Sequence, residues 1–321
     1  RGRGDVYKRQ LFPPQRTKLG GHDMKATLKK KQRLENWINL LYILPTIAVF
    51  AVFILFPILD VFRLSFYNVK INGSEEFILF DNYIKFFQSK DAFLILRNSA
   101  IWVFVGTAGK ILLGMIMALI LYKDFKGKKL ITGVMLIPYA MPAAVACMVW
   151  RLMYNPTFGH IPQYLMDLGL MEKATAFLGS PHTALIAVMI VNVWACAPFC
   201  ALNILTSLYS IPTFIYEAAD IDGVGPIRKF FKITLPLVIS DVRTLALLMG
   251  IWGFNAFDVI YMMTSGGPAN SSSILVNYVY QNAFEFNNRG YSAAISIICF
   301  ILLSIFAILY VKSKGKDVSY E

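Results

Sequence analysis

The side chains best suited to chemistry in this sequence are four cysteines and three histidines. Cys196 and Cys200 are four residues apart, so on a helix their thiols would share one face and could bind a metal ion. No histidine or acidic residue lies close to them in sequence, and all four cysteines fall in apolar runs, which favours buried small residues over metal ligands. No histidine falls in a long apolar run, so we predict no catalytic residue and no metal site. The other residues considered are Cys147, Cys299, His22, His160 and His182.

A glycine-rich segment that ends in lysine, Gly106–Lys110, has the composition of a phosphate-binding loop. Its sequence, GTAGK, lacks the GxxxxGK[ST] spacing that places backbone amides around a phosphate, and it lies inside an apolar run. We therefore predict no nucleotide site and no cofactor in this chain.

The composition is that of a membrane protein. Apolar residues make up 57% of the 321 residues, charged residues make up 16%, and the mean hydropathy is +0.56. A soluble domain of this length carries more charge on its surface. The net charge of +12 could indicate nucleic acid, but the basic residues form short clusters between apolar runs, which is typical of loops at an anionic membrane surface. We therefore exclude nucleic acid as a partner.

Six segments are long and apolar enough to cross a membrane as helices, for which about 20 residues are needed. Four contain no charge, whereas the second contains Lys110 and the fifth Asp258. Internal prolines at positions 45, 138, 142 and 198 predict kinks rather than breaks, because neighbouring membrane helices satisfy the freed carbonyls. The predicted spans are Trp37–Leu59, Ser99–Tyr122, Leu130–Trp150, Thr183–Tyr209, Thr244–Thr264 and Tyr291–Val311.

The distribution of basic residues predicts the topology. From Met24 onward, one set of loops contains 16 Lys and Arg residues and the opposite set contains 8. The positive-inside rule places the richer set, and both termini, in the cytoplasm. We interpret residues 1–23 as a non-native or disordered leader, residues 24–36 as a basic cytoplasmic N-terminus, 37–312 as a six-span transmembrane domain and 313–321 as a cytoplasmic tail.

One predicted cytoplasmic loop, residues 210–243, has a pattern of its own. Ser210–Ile221 carries helix-start signals, with Pro212 in the first turn and Glu217, Ala218 and Ala219 favouring helix. Gly223 should end this helix and Ile227–Ile233 should form a second short one. The charged residues of this helix-turn-helix would be available to water or to a partner; they are Glu217, Asp220, Asp222, Arg228 and Lys229.

The segment EAADIDGVGPIRKFFKITLP, 217–236, resembles the EAA loop of the membrane subunits of binding-protein-dependent ABC importers. The segments 254–272 and 290–302 add matches to the carbohydrate-importing branch, specifically its first permease subunit, which is similar to the maltose and glycerol-phosphate permeases. The resemblance extends from about Trp37 to the C-terminus. The sequence departs from the family pattern at Val224, where Ala is usual. A second departure is the first outer loop, which is too short for the extra folded domain of the maltose member.

The resemblance implies an all-α type I permease fold with six spans, in the plasma membrane of a bacterium or archaeon. It implies a second permease, two ATPase subunits that bind ATP and Mg²⁺, and an extracytoplasmic binding protein that delivers a sugar, oligosaccharide or polyol. This chain would then be a transport subunit and not itself an enzyme. The coupling residues implied are Glu217, Ala218, Ala219, Asp222, Gly223, Phe230 and Pro236.

The resemblance also implies a solute path on the fourth and fifth spans. Helical spacing independently puts each of the two sets on one helix face, although packing between helices would give the same pattern. Asn192 could bond hydroxyls and Phe199 could stack on a sugar ring. The implied path residues are Asn192, Ala195, Cys196, Phe199, Met249, Gly253 and Ala256.

The predicted outer loop TSGGPANSS should use its glycines for tight turns, and we expect Gly266, Gly267 and Pro268 to contact the binding protein. Lys110 has three candidate roles: snorkelling, pairing with the second permease, which we favour, or attracting an anionic solute. The alternative function is an ion-coupled secondary transporter, which would show matched repeats and paired buried charges. Neither is evident here.

Overall fold

The structure, a computed structural model, describes residues 41–70 and 73–314. The predictions for the leader, the basic N-terminus and most of the tail, and the start of the first span at Trp37, lie outside these residues. The chain divides after Asp60 into two compact units, and the site described below lies in the second.

The described residues form helices and one two-stranded antiparallel hairpin, in which β1 (Tyr67–Val69) pairs with β2 (Glu75–Phe77). The helices are α1 (Leu41–Leu64), α2 (Asp81–Gln88), α3 (Lys90–Tyr122), α4 (Lys128–Ala140), α5 (Ala143–Met153), α6 (His160–Asp167), α7 (Ala184–Tyr209), α8 (Thr213–Ile221), α9 (Pro226–Phe254), α10 (Phe257–Thr264), α11 (Leu275–Tyr280) and α12 (Arg289–Lys314).

Five of these helices are long and apolar enough to cross a membrane: α1, α3, α7, α9 and α12. A sixth crossing results if α4 and α5, which meet at a bend of 96°, count as one span. Many large apolar side chains on these helices are exposed in the isolated chain, as expected for surfaces that face lipid or other subunits. The predicted all-α, multi-pass architecture is confirmed.

Two helices have bounds that differ from those of the predicted spans. The helix that contains the second predicted span begins at Lys90 and not at Ser99, because Ser89 caps it by accepting a hydrogen bond from the amide of Ala92. The fifth span is α9, Pro226–Phe254, rather than Thr244–Thr264. The chain leaves helical geometry at Asn255 and Ala256, and α10 is a separate helix.

Of the four predicted proline positions, Pro45, Pro138 and Pro198 lie inside unbroken helices, α1, α4 and α7, so the chain does not break at them. The prediction of a kink without a break was wrong at the fourth, Pro142. The residue before it, Met141, is extended (φ −72°, ψ 136°), because a following proline disfavours helical backbone, and this is where the 96° bend occurs.

Helix α3 has 33 residues and is about 50 Å long at 1.5 Å per residue. We call its beginning at Lys90 the loop end and its last residue, Tyr122, the tyrosine end. Apolar clusters pack along it, one around Trp102 and Val188 and another around Ala118 and Leu208. The helix therefore provides one axis on which the candidate residues can be placed.

Candidate functional site

Two glycines let α3 lie directly against α7. A Cβ added to Gly114 would lie 2.5 Å from Cβ of Cys200, and one added to Gly109 would lie 3.1 Å from Val193. Such close approach fixes how α7 is rotated about its axis. One face of α7 is therefore held against α3, and the neighbouring face carries the predicted path residues.

The path residues predicted on α7 lie on one continuous helix. Asn192 is buried, whereas Ala195, Cys196 and Phe199 are half-buried. The amide nitrogen of Asn192 lies 4.0 Å from the sulfur of Cys196, one helical turn away. The shared face follows from the unbroken helix; the role of these residues in transport stays a prediction.

The prediction on the fifth span needs a correction. Met249 and Gly253 are buried on α9, and a Cβ added to Gly253 would lie 3.6 Å from the side chain of Val103 on α3. The helix ends at Phe254, and Ala256 has φ −76° and ψ 58°. Ala256 therefore does not share a helical face with the other two, because the i, i+7 argument requires an unbroken helix.

Three aromatic rings from three helices meet beside this path. The ring of Phe199 on α7 lies 5.4 Å from that of Tyr139 on α4 and 5.2 Å from that of Trp252 on α9, measured between centroids. Tyr139 is 47% exposed and Trp252 43% exposed. We call these residues the aromatic trio. It presents the kind of apolar ring surface that can cover the C–H face of a sugar.

Below the aromatic trio, towards the tyrosine end, a cavity of about 560 Å³ opens between α7 and α9. Its apolar lining is interrupted by five polar side chains, which give a solute with hydroxyl groups several places to bond. The polar lining residues are Asn203, Thr206, Ser207, Asp241 and Thr244.

Lys110 is enclosed by its own chain. It is 2% exposed and lies near Cys196 and Cys200 of α7. No acidic residue in the described part of the chain forms an ion pair with it. Snorkelling and pairing with a second permease, which we favoured, both conflict with this burial, because an enclosed ammonium reaches neither the membrane interface nor a neighbouring subunit.

Helix α8 carries the first half of the EAA-like segment and ends in a glycine cap. The amide of Val224 donates to Ala219 O at 2.9 Å and that of Gly223 to Asp220 O at 3.1 Å, while Gly223 has φ +69°. This is the Schellman arrangement, in which an apolar residue commonly follows the glycine. Val224, the departure from the family pattern, occupies that place.

The predicted coupling residues differ in exposure. Glu217, Ala218, Asp222, Gly223 and Pro236 are exposed, and Ile221 beside them is 87% exposed. Ala219 is 5% exposed and Phe230 is half-buried, because both face their own chain. The structure therefore leaves Ala218, and not Ala219, as the small residue that a partner could approach.

The segment after α8 also differs from the prediction. A separate short helix was expected over Ile227–Ile233, but these residues form the beginning of α9 and continue into the span. Asp220 forms an ion pair with Lys229, so these two charges bridge α8 and α9 instead of remaining available to a partner.

At the loop end, Asn98 holds the predicted outer loop. Its amide nitrogen donates to the carbonyls of Asn270, Ser271 and Ser273, at 3.3, 2.9 and 3.2 Å. The hydroxyl of Ser99 also accepts a bond from the amide of Leu275 at 2.9 Å. We call these contacts of Asn98 the amide clamp.

The predicted contact residues of this loop are not equally available. Gly266 is buried with φ +81°, so it shapes the turn and does not offer a surface. Gly267 and Pro268 are half-buried, and Ser265 and Ala269 are the exposed neighbours. The oxygens of Asn98, Ser271 and Ser273 side chains are buried here without a protein partner in the described residues.

The four cysteines are free thiols, and residues 41–70 and 73–314 contain no group of three His, Cys, Asp or Glu residues placed to hold a metal ion. Sequence reasoning missed Tyr139, Trp252 and Asn98. Tyr139 and Trp252 each contact Phe199 on another helix, and Asn98 contacts a loop up to 175 residues away, so no local spacing could reveal them.

Comparisons with known proteins agree with the architecture. The profile of a family described as "Binding-protein-dependent transport system inner membrane component" matches residues 110–314. The trehalose/maltose transport system permease protein MalF of Thermococcus litoralis is 34% identical over 291 residues, which cover 90% of this chain and 97% of that protein. The sulfoquinovosyl glycerol transport system permease protein SmoG of Agrobacterium fabrum is 29% identical, with 88% and 94% coverage.

Among solved structures, a chain of a bacterial ABC transporter involved in the import of the acidic polysaccharide alginate superposes with a TM-score of 0.77. It is 19% identical, and the match covers 90% of this chain and 99% of that one. At this identity the match supports the fold and not the solute.

Proposed function

The chain belongs to the binding-protein-dependent transport system inner membrane component family, and we propose that it is a permease subunit of an ATP-driven importer for a sugar, oligosaccharide or polyol. The observation that carries the proposal is the 34% identity to a trehalose/maltose permease over nine-tenths of the chain. The aromatic trio supports a carbohydrate independently, because aromatic faces suit the C–H surfaces of sugar rings.

The proposed solute path follows the seam between α7 and α9. Asn192 and Cys196, with Ala195 beside them, line it near the middle of the membrane, and the aromatic trio covers the ring of the solute. From there the cavity lined by Asn203 and Asp241 leads towards the tyrosine end. Hydroxyl groups would exchange bonds among these polar side chains as the solute moves.

The proposed coupling surface is the exposed face of α8. Glu217 would pair with a basic residue of an ATPase subunit, and Ala218 would allow that subunit to come close. ATP and Mg²⁺ would bind to two such ATPase subunits and hydrolysis would occur there, so this chain is a transport subunit. A second permease would complete the path, and both termini would be cytoplasmic, in a bacterial or archaeal membrane.

At the other side of the membrane, the exposed residues around Gly267 and Pro268 would meet the solute-binding protein. Closure of the ATPase subunits and docking of the loaded binding protein would bias the same equilibrium between inward-facing and outward-facing states. Each acts only through contacts that differ between the two states.

The test is uptake of radiolabelled maltose, trehalose and sulfoquinovosyl glycerol into proteoliposomes that contain the complete transporter with its binding protein. We expect uptake of at least one of these solutes that requires internal ATP and persists when the proton gradient is collapsed. Uptake that stops with the gradient and continues without ATP would contradict the proposal and support an ion-coupled secondary transporter. Phe199→Ala should lower the affinity for the solute, and Tyr164→Ala, an exposed tyrosine far from the path, serves as the control.

A further inference from the structure

Three tyrosines meet where three helices end or pass. Tyr122 is the last residue of α3, Tyr209 is the last residue of α7, and Tyr216 lies in the middle of α8. The ring of Tyr122 lies 5.4 Å from that of Tyr209 and 6.3 Å from that of Tyr216, distances at which aromatic rings attract each other. We call these three residues the tyrosine cluster.

Hydrogen bonds extend the tyrosine cluster to two more helices. The hydroxyl of Tyr216 lies 3.1 Å from Oγ1 of Thr234, a buried residue of α9. Nζ of Lys128, the first residue of α4, donates to the hydroxyl of Tyr209 at 3.1 Å and to Asp124 at 2.9 Å. The ends or early turns of α3, α4, α7 and α9 are therefore joined through one cluster.

Tyr216 joins the exposed face of α8 to this cluster. It directly precedes Glu217 and Ala218, which are exposed, while its own side chain is half-buried against Leu208, Val238 and their neighbours. The other bridge from α8 to α9, the ion pair of Asp220 with Lys229, involves a carboxylate whose side chain is 67% exposed. A water-exposed pair adds little stiffness compared with packed rings and a partly buried hydroxyl contact.

We propose that Tyr216 is the positioning residue that transmits movement of α8 to the spans, through its ring to Tyr122 of α3 and through its hydroxyl to Thr234 of α9. The inference rests on the proposed function, since it assumes that α8 meets an ATPase subunit. A rigid helix whose exposed face is held by a partner can shift packed spans only where it contacts them firmly. Tyr216 makes contacts of this kind with two of the spans that carry or flank the path.

The test uses the thiol of Cys196 as a reporter, because it is half-buried on the candidate path and needs no knowledge of the solute. The complete transporter in proteoliposomes is treated with N-ethylmaleimide, either without nucleotide or with ATP and vanadate, and labelling of Cys196 is followed by mass spectrometry. The variants are Tyr216→Ala, Tyr216→Phe, Thr234→Val and the double variant Tyr216→Phe/Thr234→Val. Tyr42→Ala, on the exposed surface of α1, is the matched control.

In the wild type and the control, the two states should differ in labelling rate. Typical coupling between two sites corresponds to factors of about 5 to 150, so we expect Tyr216→Ala to reduce the difference at least about fivefold while ATP hydrolysis continues. Tyr216→Phe and Thr234→Val, the hydroxyl variants, should each reduce the difference in labelling rate about threefold to tenfold, the effect of one hydrogen bond. The double variant should reduce it no more than either single variant does, since all three remove the same contact.

Three results would overturn the inference. If Tyr216→Ala lowers only the amount of assembled transporter, and what assembles keeps the full labelling difference, the cluster is a packing element alone. If the hydroxyl variants match the wild type, or their effects add, the contact with Thr234 transmits nothing. If the wild type itself shows no difference between the two states, the proposed coupling fails and the inference fails with it.

Discussion

The two ends of α3 are built in opposite ways. At the loop end, a loop of glycines and serines is fixed by buried side chains from elsewhere in the same chain, with Asn98 bonded to three of its carbonyls. At the tyrosine end, α8 is fixed on one side alone, and its other side exposes Glu217, Ala218 and the 87% exposed Ile221.

The difference indicates which surface is complete in the isolated chain. Irregular backbone is tolerated in a membrane protein where the protein itself satisfies its polar groups, and the amide clamp does this for much of the predicted outer loop. On α8, in contrast, two large apolar residues seven positions apart, Phe214 and Ile221, are exposed beside charged ones, a pattern typical of an interface. The loop end is therefore held by its own chain, whereas α8 leaves the surface of the proposed coupling contact exposed.

Reversing the charge at the exposed end should have the largest effect. Glu217→Lys should reduce ATP-dependent uptake by about 100-fold or more, because a like charge placed in a desolvated contact costs several kcal/mol. Thermal stability of the permease should not change, since the side chain is exposed. Copurification of the ATPase subunits measures the loss directly, and Glu172→Lys, an exposed glutamate outside α8, is the control. If the ATPase subunits copurify fully with Glu217→Lys, α8 is not part of the interface.

Breaking the amide clamp should affect the fold of the opposite end. Asn98→Asp puts a carboxylate oxygen against three carbonyls, and we expect unfolding free energy to fall by about 2–4 kcal/mol, seen as a lower Tm of the purified permease. Asn203→Asp is the matched control, because that exposed amide bonds the carbonyl of Phe199 on its own helix. An equal Tm for both variants would contradict the assignment of the clamp.

The cap of α8 should respond to backbone strain and not to side-chain volume. A Cβ at Gly223 meets nothing within 4 Å, but φ is +69°. Gly223→Val should therefore destabilise α8 by about 1–2 kcal/mol, whereas Gly223→Asn should cost a few tenths, because Asn tolerates left-handed backbone. Uptake should therefore fall in Gly223→Val and stay near the wild-type rate in Gly223→Asn. Equal loss of uptake in both variants would indicate a steric contact with a partner instead.

The smallest loss of uptake is expected at the aromatic trio, which lies between the two ends of α3. Trp252→Ala removes one ring of the aromatic trio and should weaken solute affinity by about 1 kcal/mol, a factor of about five, while Trp252→Phe should retain most of it. The readout is the concentration dependence of uptake at saturating binding protein. An unchanged concentration dependence in Trp252→Ala would show that the trio packs helices and does not contact the solute.

The sequence predicted what depends on local pattern. Apolar runs revealed the spans, and the EAA-like segment located α8 and its glycine cap. It did not reveal that Asn255 ends α9, because the residues around it remain apolar, so composition alone continued the span to Thr264. Nor did the sequence distinguish Pro142 from the other internal prolines, although the chain bends by 96° between α4 and α5. The amide clamp, the aromatic trio and the tyrosine cluster depend on tertiary contacts between parts of the chain that local sequence pattern does not connect.

Hydrogen–deuterium exchange of the purified permease pair, with and without its ATPase subunits, tests the contrast between the two ends most directly. Adding the ATPase subunits should slow exchange in residues 213–223 and leave residues 265–275 unchanged, since the first segment gains a partner and the second is already held by its own chain. Unchanged exchange in residues 213–223 on assembly of the complete transporter would contradict the assignment of α8 as the surface through which this permease receives the work of ATP hydrolysis.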